Sequence, residues 1–215
     1  MKIVLISDTH SLHQDLIIPK GDMIIHAGDF TNVGSPVDVV NFLWWFNNLG
    51  FKYSLCISGN HDLLAEDHPQ VFKKFLDDYP NITYLQDSSA TIEGIKFYGS
   101  PFTPLFNNWA FMLERGAEMK TVWDKIDKDT DVLITHGGPL GYMDEVFNPK
   151  TSECDEHVGC VELLKALDRL KVKHHIFGHL HESYGKMKYN KTSLYNVSSC
   201  DDSYKIVNPP VVIEV

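Results

Sequence analysis

Five short apolar, largely β-branched runs, KIVLI, DMII, YSLCI, DVLI and HHIF, are each followed at once by candidate metal ligands. The residues are Asp8 and His10 in SDTH, Asp29 in HAGDF, Asn60 in SGNHD, His136 in THGG, and His179 with His181 in FGHLH. Strands that end this way deliver oxygen and imidazole donors to one edge of a sheet, where an α/β fold keeps its ligand sites. The arrangement reads as a binuclear metal centre.

Taken singly, each residue has an ordinary role. Asp8 or Asp29 after a strand caps a helix or closes an Asx-turn, Asn60 beside Gly59 makes a turn, and His136 is a hydrogen-bonded loop histidine. Their coincidence in five blocks favours metal binding. His179 and His181 stand at i and i+2, on one face of an extended chain, so a single strand end can serve two cations.

The blocks DxH, GD, GNHD, H and GHxH are all present and in order, and in this the chain resembles the calcineurin-like metallophosphoesterase superfamily. FNNWAF, DTDVLITHGGPLGYMD, VGCVELL, FGHLHESYG and NPPVVIEV extend the likeness over nearly the whole chain. They look like the metallophosphoesterase-domain proteins related to class III cyclic-nucleotide phosphodiesterases. Some animal members of that subgroup carry glycine where this chain has His179, which weakens one of their metal sites; this chain keeps the full set. The resemblance implies that Asp29 bridges two cations, with Asp8, His10 and His181 completing one site and Asn60, His136 and His179 the other. Two divalent or trivalent ions are expected, manganese first, with iron, zinc or cobalt also suited to nitrogen and oxygen donors without thiolate.

His61 resembles the family residue that faces the substrate and protonates the leaving oxygen, and Asp62 is expected to hold its other ring nitrogen. The implied reaction is in-line attack of a metal-activated hydroxide on a small phosphodiester, a cyclic nucleotide or similar compact nucleotide. The same ligands serve phosphomonoesterases and nucleases. A non-catalytic metal-binding scaffold is the more distant alternative.

Composition bears on the substrate and the compartment. With 215 residues, 43% of them hydrophobic and 12% aromatic, the chain can bury a large core as one domain spanning 1–215. No apolar stretch approaches the roughly 20 residues of a membrane span, and MKIVLISDTH lacks the basic start and cleavage site of a secretion signal. A cytoplasmic protein without membrane contact, monomeric or homodimeric, is expected. The formal charge of -10 and the absence of a basic stripe argue against duplex nucleic acid. Small phosphoesters remain compatible, because bound cations can reverse the local field. The cysteines show no paired spacing, so disulfides are not expected; Cys154 with Cys160 is the pair to test by thiol titration.

Periodicity places strands near 2–7, 22–26, 53–58, 82–85, 89–93, 95–99, 131–135, 173–178, 192–197 and 210–214. Helices are expected at 36–49, 69–78, 117–126 and 159–170, the first bounded by Ser35, Pro36 and Gly50. TIEGIKFYGS reads as strand, Glu-Gly turn, strand, so the sheets are mixed. Pattern alone gives an α/β fold with hairpins; the resemblance implies a four-layer α/β/β/α sandwich with two mixed β-sheets. Residues 101–116, rich in Pro, Asn and aromatics, read as an ordered flap beside the site. His13, Asn107, Asn108 and Trp109 are candidate substrate contacts. Asp144 is a candidate for orienting a ligand or capping a helix, His26 for a buried structural partner, Arg115 for a phosphate contact, and Trp44 and Trp45 for core or helix surface.

Overall fold

A computed structural model describes residues 1–147 and 154–215. The first part of the chain runs through β1 (Lys2–Ile6), β2 (Met23–Ala27), α1 (Pro36–Asn48), β3 (Tyr53–Ile57), α2 (Leu63–Asp67), α3 (Pro69–Asp77) and β4 (Ile82–Tyr84). A hairpin follows, β5 (Ser88–Ile92) and β6 (Ile95–Ser100), then the flap with its two short strands β7 (Thr103–Pro104) and β8 (Met112–Leu113). The remainder contains α4 (Ala117–Trp123), β9 (Val132–Thr135), β10 (Glu145–Phe147), β11 (Cys154–His157) and α5 (Val161–Arg169). It ends with β12 (His174–Phe177), β13 (Gly185–Tyr189), β14 (Thr192–Asn196) and β15 (Val211–Glu214).

Two large sheets result, ordered β15-β1-β2-β3-β4 and β13-β14-β12-β9-β6-β5. In both, the inner strands are parallel and the antiparallel partners, β15, β13 and β5, lie at the edges. Parallel strands covered on both faces read as unbroken apolar runs rather than alternating ones. KIVLI shows why. Ile3 and Leu5 pack between the sheets with Phe97, Val132, Ile134 and Ile176. Val4 and Ile6 point the other way, against Val39, Phe42, Leu43 and Phe46 of α1. On the far side, Tyr98, Leu133 and Leu194 meet Met119, Val122 and Trp123 of α4 and Leu163 and Leu167 of α5. Three apolar cores therefore separate four layers, helix, sheet, sheet and helix. Each fully buried Leu, Ile or Phe contributes roughly 1.5–3 kcal/mol relative to exposure.

The expected strands are all present, each within a residue of its expected bounds. The Glu93-Gly94 turn has both residues at positive φ, 50° and 80°, as a two-residue hairpin turn demands. Helix α1 begins at Pro36 as expected and ends before Gly50, whose φ of 77° closes it. The Ser35 hydroxyl, however, accepts no capping hydrogen bond. Helices α4 and α5 are shorter than expected, and α2, β7, β8, β10, β11 and β13 are additional. Trp44 is exposed on α1 and Trp45 packs against the first core. Cys56, Cys160 and Cys200 are buried free thiols, whereas the Cys154 side chain lies outside the described residues. Among the described residues no helix is long and apolar enough to cross a membrane.

Candidate metal centre

The carboxyl ends of β1, β2 and β3, neighbours in one sheet, and of β9 and β12, neighbours in the other, converge. Asp8, Asp29, Asn60, His136 and His179 each lie two or three residues at most beyond a strand end. The backbone there is held in an unfavourable shape. Asp8, His10, Asp29 and His179 have φ of 51°, 41°, 55° and 72°, a region non-glycine residues enter at a cost of about 1–3 kcal/mol each. Cross-links between the loops hold them: Asp8 N–H donates to Gly28 O at 2.9 Å, His10 N–H to Asp29 O at 3.1 Å, and Gly178 N–H to His136 O at 2.9 Å. The His179 N–H reaches both carboxylate oxygens of Asp8 at 3.0 Å, and Ser198 Oγ donates to Asp8 Oδ2 at 2.9 Å. Two glycines are required by this crowding. A Cβ on Gly59 would overlap Asp29 Oδ1, and one on Gly178 would overlap Asp8 Oδ2.

Three groups of potential ligand atoms result, each with its atoms within 4.8 Å of one another: Asp8 with His10 and His181, Asp29 with His136 and His179, and His10 with Asp29 and His61. Asp29 Oδ2 is 3.2 Å from His136 Nε2 and 3.9 Å from His10 Nε2. Its Oδ1 accepts the His61 N–H at 2.8 Å. One oxygen of Asp29 thus faces both halves of the site while the other fixes the loop. Asn60 Oδ1 lies 2.9 Å from His136 Nε2, bringing the amide into the second group.

Backbone carbonyls set the orientation of three imidazoles. His136 Nδ1 donates to Ala27 O at 3.0 Å, His181 Nδ1 to Asp201 O at 2.8 Å and His61 Nδ1 to Asn32 O at 2.7 Å. Such bonds fix the tautomer and turn the other ring nitrogen inward, toward the site. His10 Nε2 and His181 Nε2 face each other at 3.1 Å, with His181 Nε2 3.6 Å from Asp8 Oδ1. Two carboxylates, imidazole nitrogens and one amide oxygen, without thiolate, fit a pair of divalent cations.

The electrostatics lead to the same conclusion. Burial raises the pKa of Asp8, but the hydrogen bond from His181 and the charges of His136 and His181 outweigh it and hold the carboxyl below the usual range. Burial likewise opposes the ionisation of Asp29, and the charge and hydrogen bond of His136 overcome it. Burial lowers the pKa of His136 and His181, yet the Asp29 charge on the first and the Asp8 hydrogen bond on the second push both up to about 9. His10 and His179 are driven down to about 4, by burial first. Both carboxylates are thus ionised against imidazoles that carry positive charge, the charge that a bound cation would supply in their place.

Several expectations need correcting. Asp62 does not hold the His61 ring. Its buried carboxylate accepts from the N–H groups of Asp29 (3.0 Å), Thr31 (3.0 Å) and Gly59 (2.8 Å), and from Thr31 Oγ1 (2.8 Å). It therefore ties two site loops together. His13 is no substrate contact and no exposed loop residue: it is buried, with its ring against Trp45 at 4.8 Å and Phe42 at 5.8 Å. Asn107 and Asn108 are exposed and stand outside the lining of the cavity over the site. Asp144 neither orients a ligand nor caps a helix. It accepts from His157 Nδ1 at 2.7 Å and from the N–H groups of Gly141 and Gly159, clamping the loop between them. The Arg115 guanidinium donates to Val158 O and Gly159 O. His26 is the expected buried partner, 3.0 Å from Thr9 Oγ1.

The site opens into a cavity of about 550 Å³. The flap forms one wall with Pro104, Leu105, Phe106 and Trp109, as its position and aromatic content had suggested. Trp109 stacks on His61 with ring centres 4.2 Å apart. A contributor that sequence reasoning missed comes from the loop after β14: Tyr204 lies 4.7 Å from the His10 ring and 5.4 Å from that of His181. Its one sequence signal is a further strand followed by a polar stretch, SSCDDSY, which contains no histidine.

Two mixed sheets between helical layers, with carboxylates and imidazoles gathered where their parallel strands end, define the metallophosphoesterase class. The chain belongs to the calcineurin-like phosphoesterase family, whose profile matches residues 1–183. Metallophosphoesterase domain-containing protein 1 of Homo sapiens is 41% identical over 235 residues, covering 100% of this chain and 71% of that protein. UPF0046 protein K07C11.7 of Caenorhabditis elegans is 36% identical over 226 residues, covering 100% of this chain and 75% of that one. Among solved structures, TT1561 of Thermus thermophilus superposes with a TM-score of 0.62 at 10% identity, over 99% of this chain and 98% of that one. That last likeness concerns the fold alone.

Proposed function

We propose that the protein is a two-metal phosphodiesterase acting on compact phosphodiesters, small nucleotides among them. The observation that carries the reading is the position of Asp29, whose Oδ2 faces His136 on one side and His10 on the other. Asp8, His10, Asp29 and His181 would hold one cation, and Asp29, Asn60, His136 and His179 the second. When bound, such a pair neutralises phosphoryl charge and activates water at neutral pH.

The protein's own groups supply the rest. His61 is grouped with His10 and Asp29, and the Asn32 carbonyl keeps the Nδ1 proton in place. The proton passed to the departing ester oxygen therefore comes from Nε2 of the imidazolium, leaving a neutral ring in the tautomer that the carbonyl already favours. Trp109, stacked on that ring, limits its rotation and shields one face from water.

A diester is favoured over a monoester by the shortage of cationic side chains among the described residues that line the cavity. Among the described residues that line the cavity, Arg115 is the one Lys or Arg, and its guanidinium already serves two backbone carbonyls. Glu182 and Asp202 also line the cavity and disfavour a dianionic phosphate or a polyanionic strand. The test is a turnover panel with manganese supplied: an activated aryl diester, the matching monoester, cyclic nucleotides of both ring sizes, and single-stranded DNA. Diesters are expected first. Monoesters well ahead of diesters would replace the substrate class and leave the metal site standing.

A further inference from the structure

We propose that Trp109 and Tyr204 flank an aromatic slot beside His61, and that this slot selects phosphodiesters whose organic group is flat and carries no second anionic charge. The proposal rests on the phosphodiesterase reading and names the specificity-determining residues within it.

Neither ring belongs to any of the three apolar cores. Trp109 is stacked on one side of His61. Tyr204 stands 6.1 Å from the same imidazole, and it is 45% exposed although it lines the cavity. Leaving so large a ring unburied forgoes the hydrophobic gain that places most aromatics inside. The backbone nevertheless holds it there. Tyr204 has φ of 56°, and its N–H donates to Asp201 O at 2.9 Å. Asp201 Oδ1 accepts from the N–H groups of Ser203 at 3.0 Å and Lys205 at 2.9 Å. The same Asp201 carbonyl accepts from His181 Nδ1, so the turn that presents Tyr204 is locked to a candidate metal ligand. Position and strain together mark a ring kept for a ligand.

What the slot takes follows from its walls. Leu105 and Phe106, 48% and 66% exposed, extend the apolar surface of the flap beside Trp109, which suits a flat ring placed face to face or edge to face. Glu182 and Asp202, next in sequence to His181 and Asp201, line the cavity. A second phosphate on the organic group would meet their charges, with Arg115 already engaged.

The experiment holds the reacting bond constant and changes only the attached group. Metal-loaded enzyme is given a nucleoside cyclic monophosphate, the same cyclic ribose phosphate without its base, and the same nucleotide with one extra phosphate. The base-bearing substrate is expected to lead in kcat/KM by about tenfold, mostly through KM, the size of one stacking contact, and the extra phosphate to reduce it. Trp109→Ala and Tyr204→Ala should each collapse the ratio between base-bearing and base-free substrates, while Tyr204→Phe keeps it. Equal use of both by the wild type, or a ratio untouched in Tyr204→Ala, overturns the slot. If no phosphoester is turned over, the proposed function fails by itself. The slot is then judged by adenosine alone: quenching of tryptophan fluorescence that disappears in Trp109→Phe supports it, and no quenching overturns it.

Discussion

The carbonyl oxygen of Asn32 accepts the Nδ1 proton of His61 at 2.7 Å, while the adjacent Asp62 carboxylate faces away into the protein, bonded to backbone N–H groups. The imidazole is thus oriented by a neutral group, and its proton donation does not depend on Asp62. His61→Ala is expected to keep both metals and the wild-type melting temperature. Turnover of a diester with a poor leaving group should fall by about 10²–10⁴, the usual contribution of a positioned acid, and much less with a nitrophenolate leaving group. Equal losses on both substrates would remove His61 from the protonation step.

Asp62→Ala should behave in the opposite way. Five donors, the Phe30 N–H at 3.4 Å among them, lose their acceptor in a buried place, and a hydrogen bond to a charged group contributes about 1.5–3 kcal/mol. Even with partial relaxation the loss should be about 3 kcal/mol or more, read as a lower denaturant midpoint. Because the donors include the N–H groups of Asp29 and Gly59, metal affinity should fall with stability. A variant as stable as the wild type that lost only turnover would return Asp62 to a catalytic role.

Metal stoichiometry separates the two halves of the centre. Asp29→Asn weakens an oxygen that faces both groups and should abolish tight binding of both ions. His181→Ala should remove one ion and His136→Ala the other, as elemental analysis of dialysed protein would show. Chelation should lower the melting temperature of the wild type, since ligands bound only by the folded state stabilise it. It should have little further effect on Asp29→Asn. Two ions retained by Asp29→Asn would refute the shared carboxylate.

The gathering of the candidate ligands was legible in the sequence because each follows an apolar run that both sheet faces bury, so strand end and donor appear side by side in the chain. Tyr204 was hidden because it follows β14 by several residues, in a loop with no metal-binding histidine of its own. The partner of His61 was hidden for another reason: a backbone carbonyl has no letter in a sequence, and Asp62 was the nearest residue able to accept a proton. Among the additional elements, α2 has five residues, too few for a helical period to emerge. Strand β13, GKMKY, sits at a sheet edge with Lys186 and Lys188 outward, a pattern that guards an edge rather than filling a core. His13 was misplaced because its position three residues beyond His10 suggested the site, whereas the 3-10 turn at His13–Asp15 directs the ring into the aromatic core.

That burial makes His13 a source of acid sensitivity. Both ring nitrogens lack a hydrogen-bond partner, and burial pushes the pKa from its ordinary 6.5 down to about 4, only weakly opposed by Asp15. Between those values the unfolded chain binds a proton that the folded protein refuses, so stability rises with pH there. The contribution is intact above the unfolded value and is lost as pH falls toward the folded one. His26 and His175, also lowered by burial, act in the same direction. His13→Phe removes one of these groups and keeps an aromatic ring beside Phe42 and Trp45. Relative to its own stability at neutral pH, the variant should lose about 2 kcal/mol less than the wild type on going to about pH 5. Denaturant melts of both proteins at the two pH values measure this, and parallel losses would show that His13 does not carry the penalty.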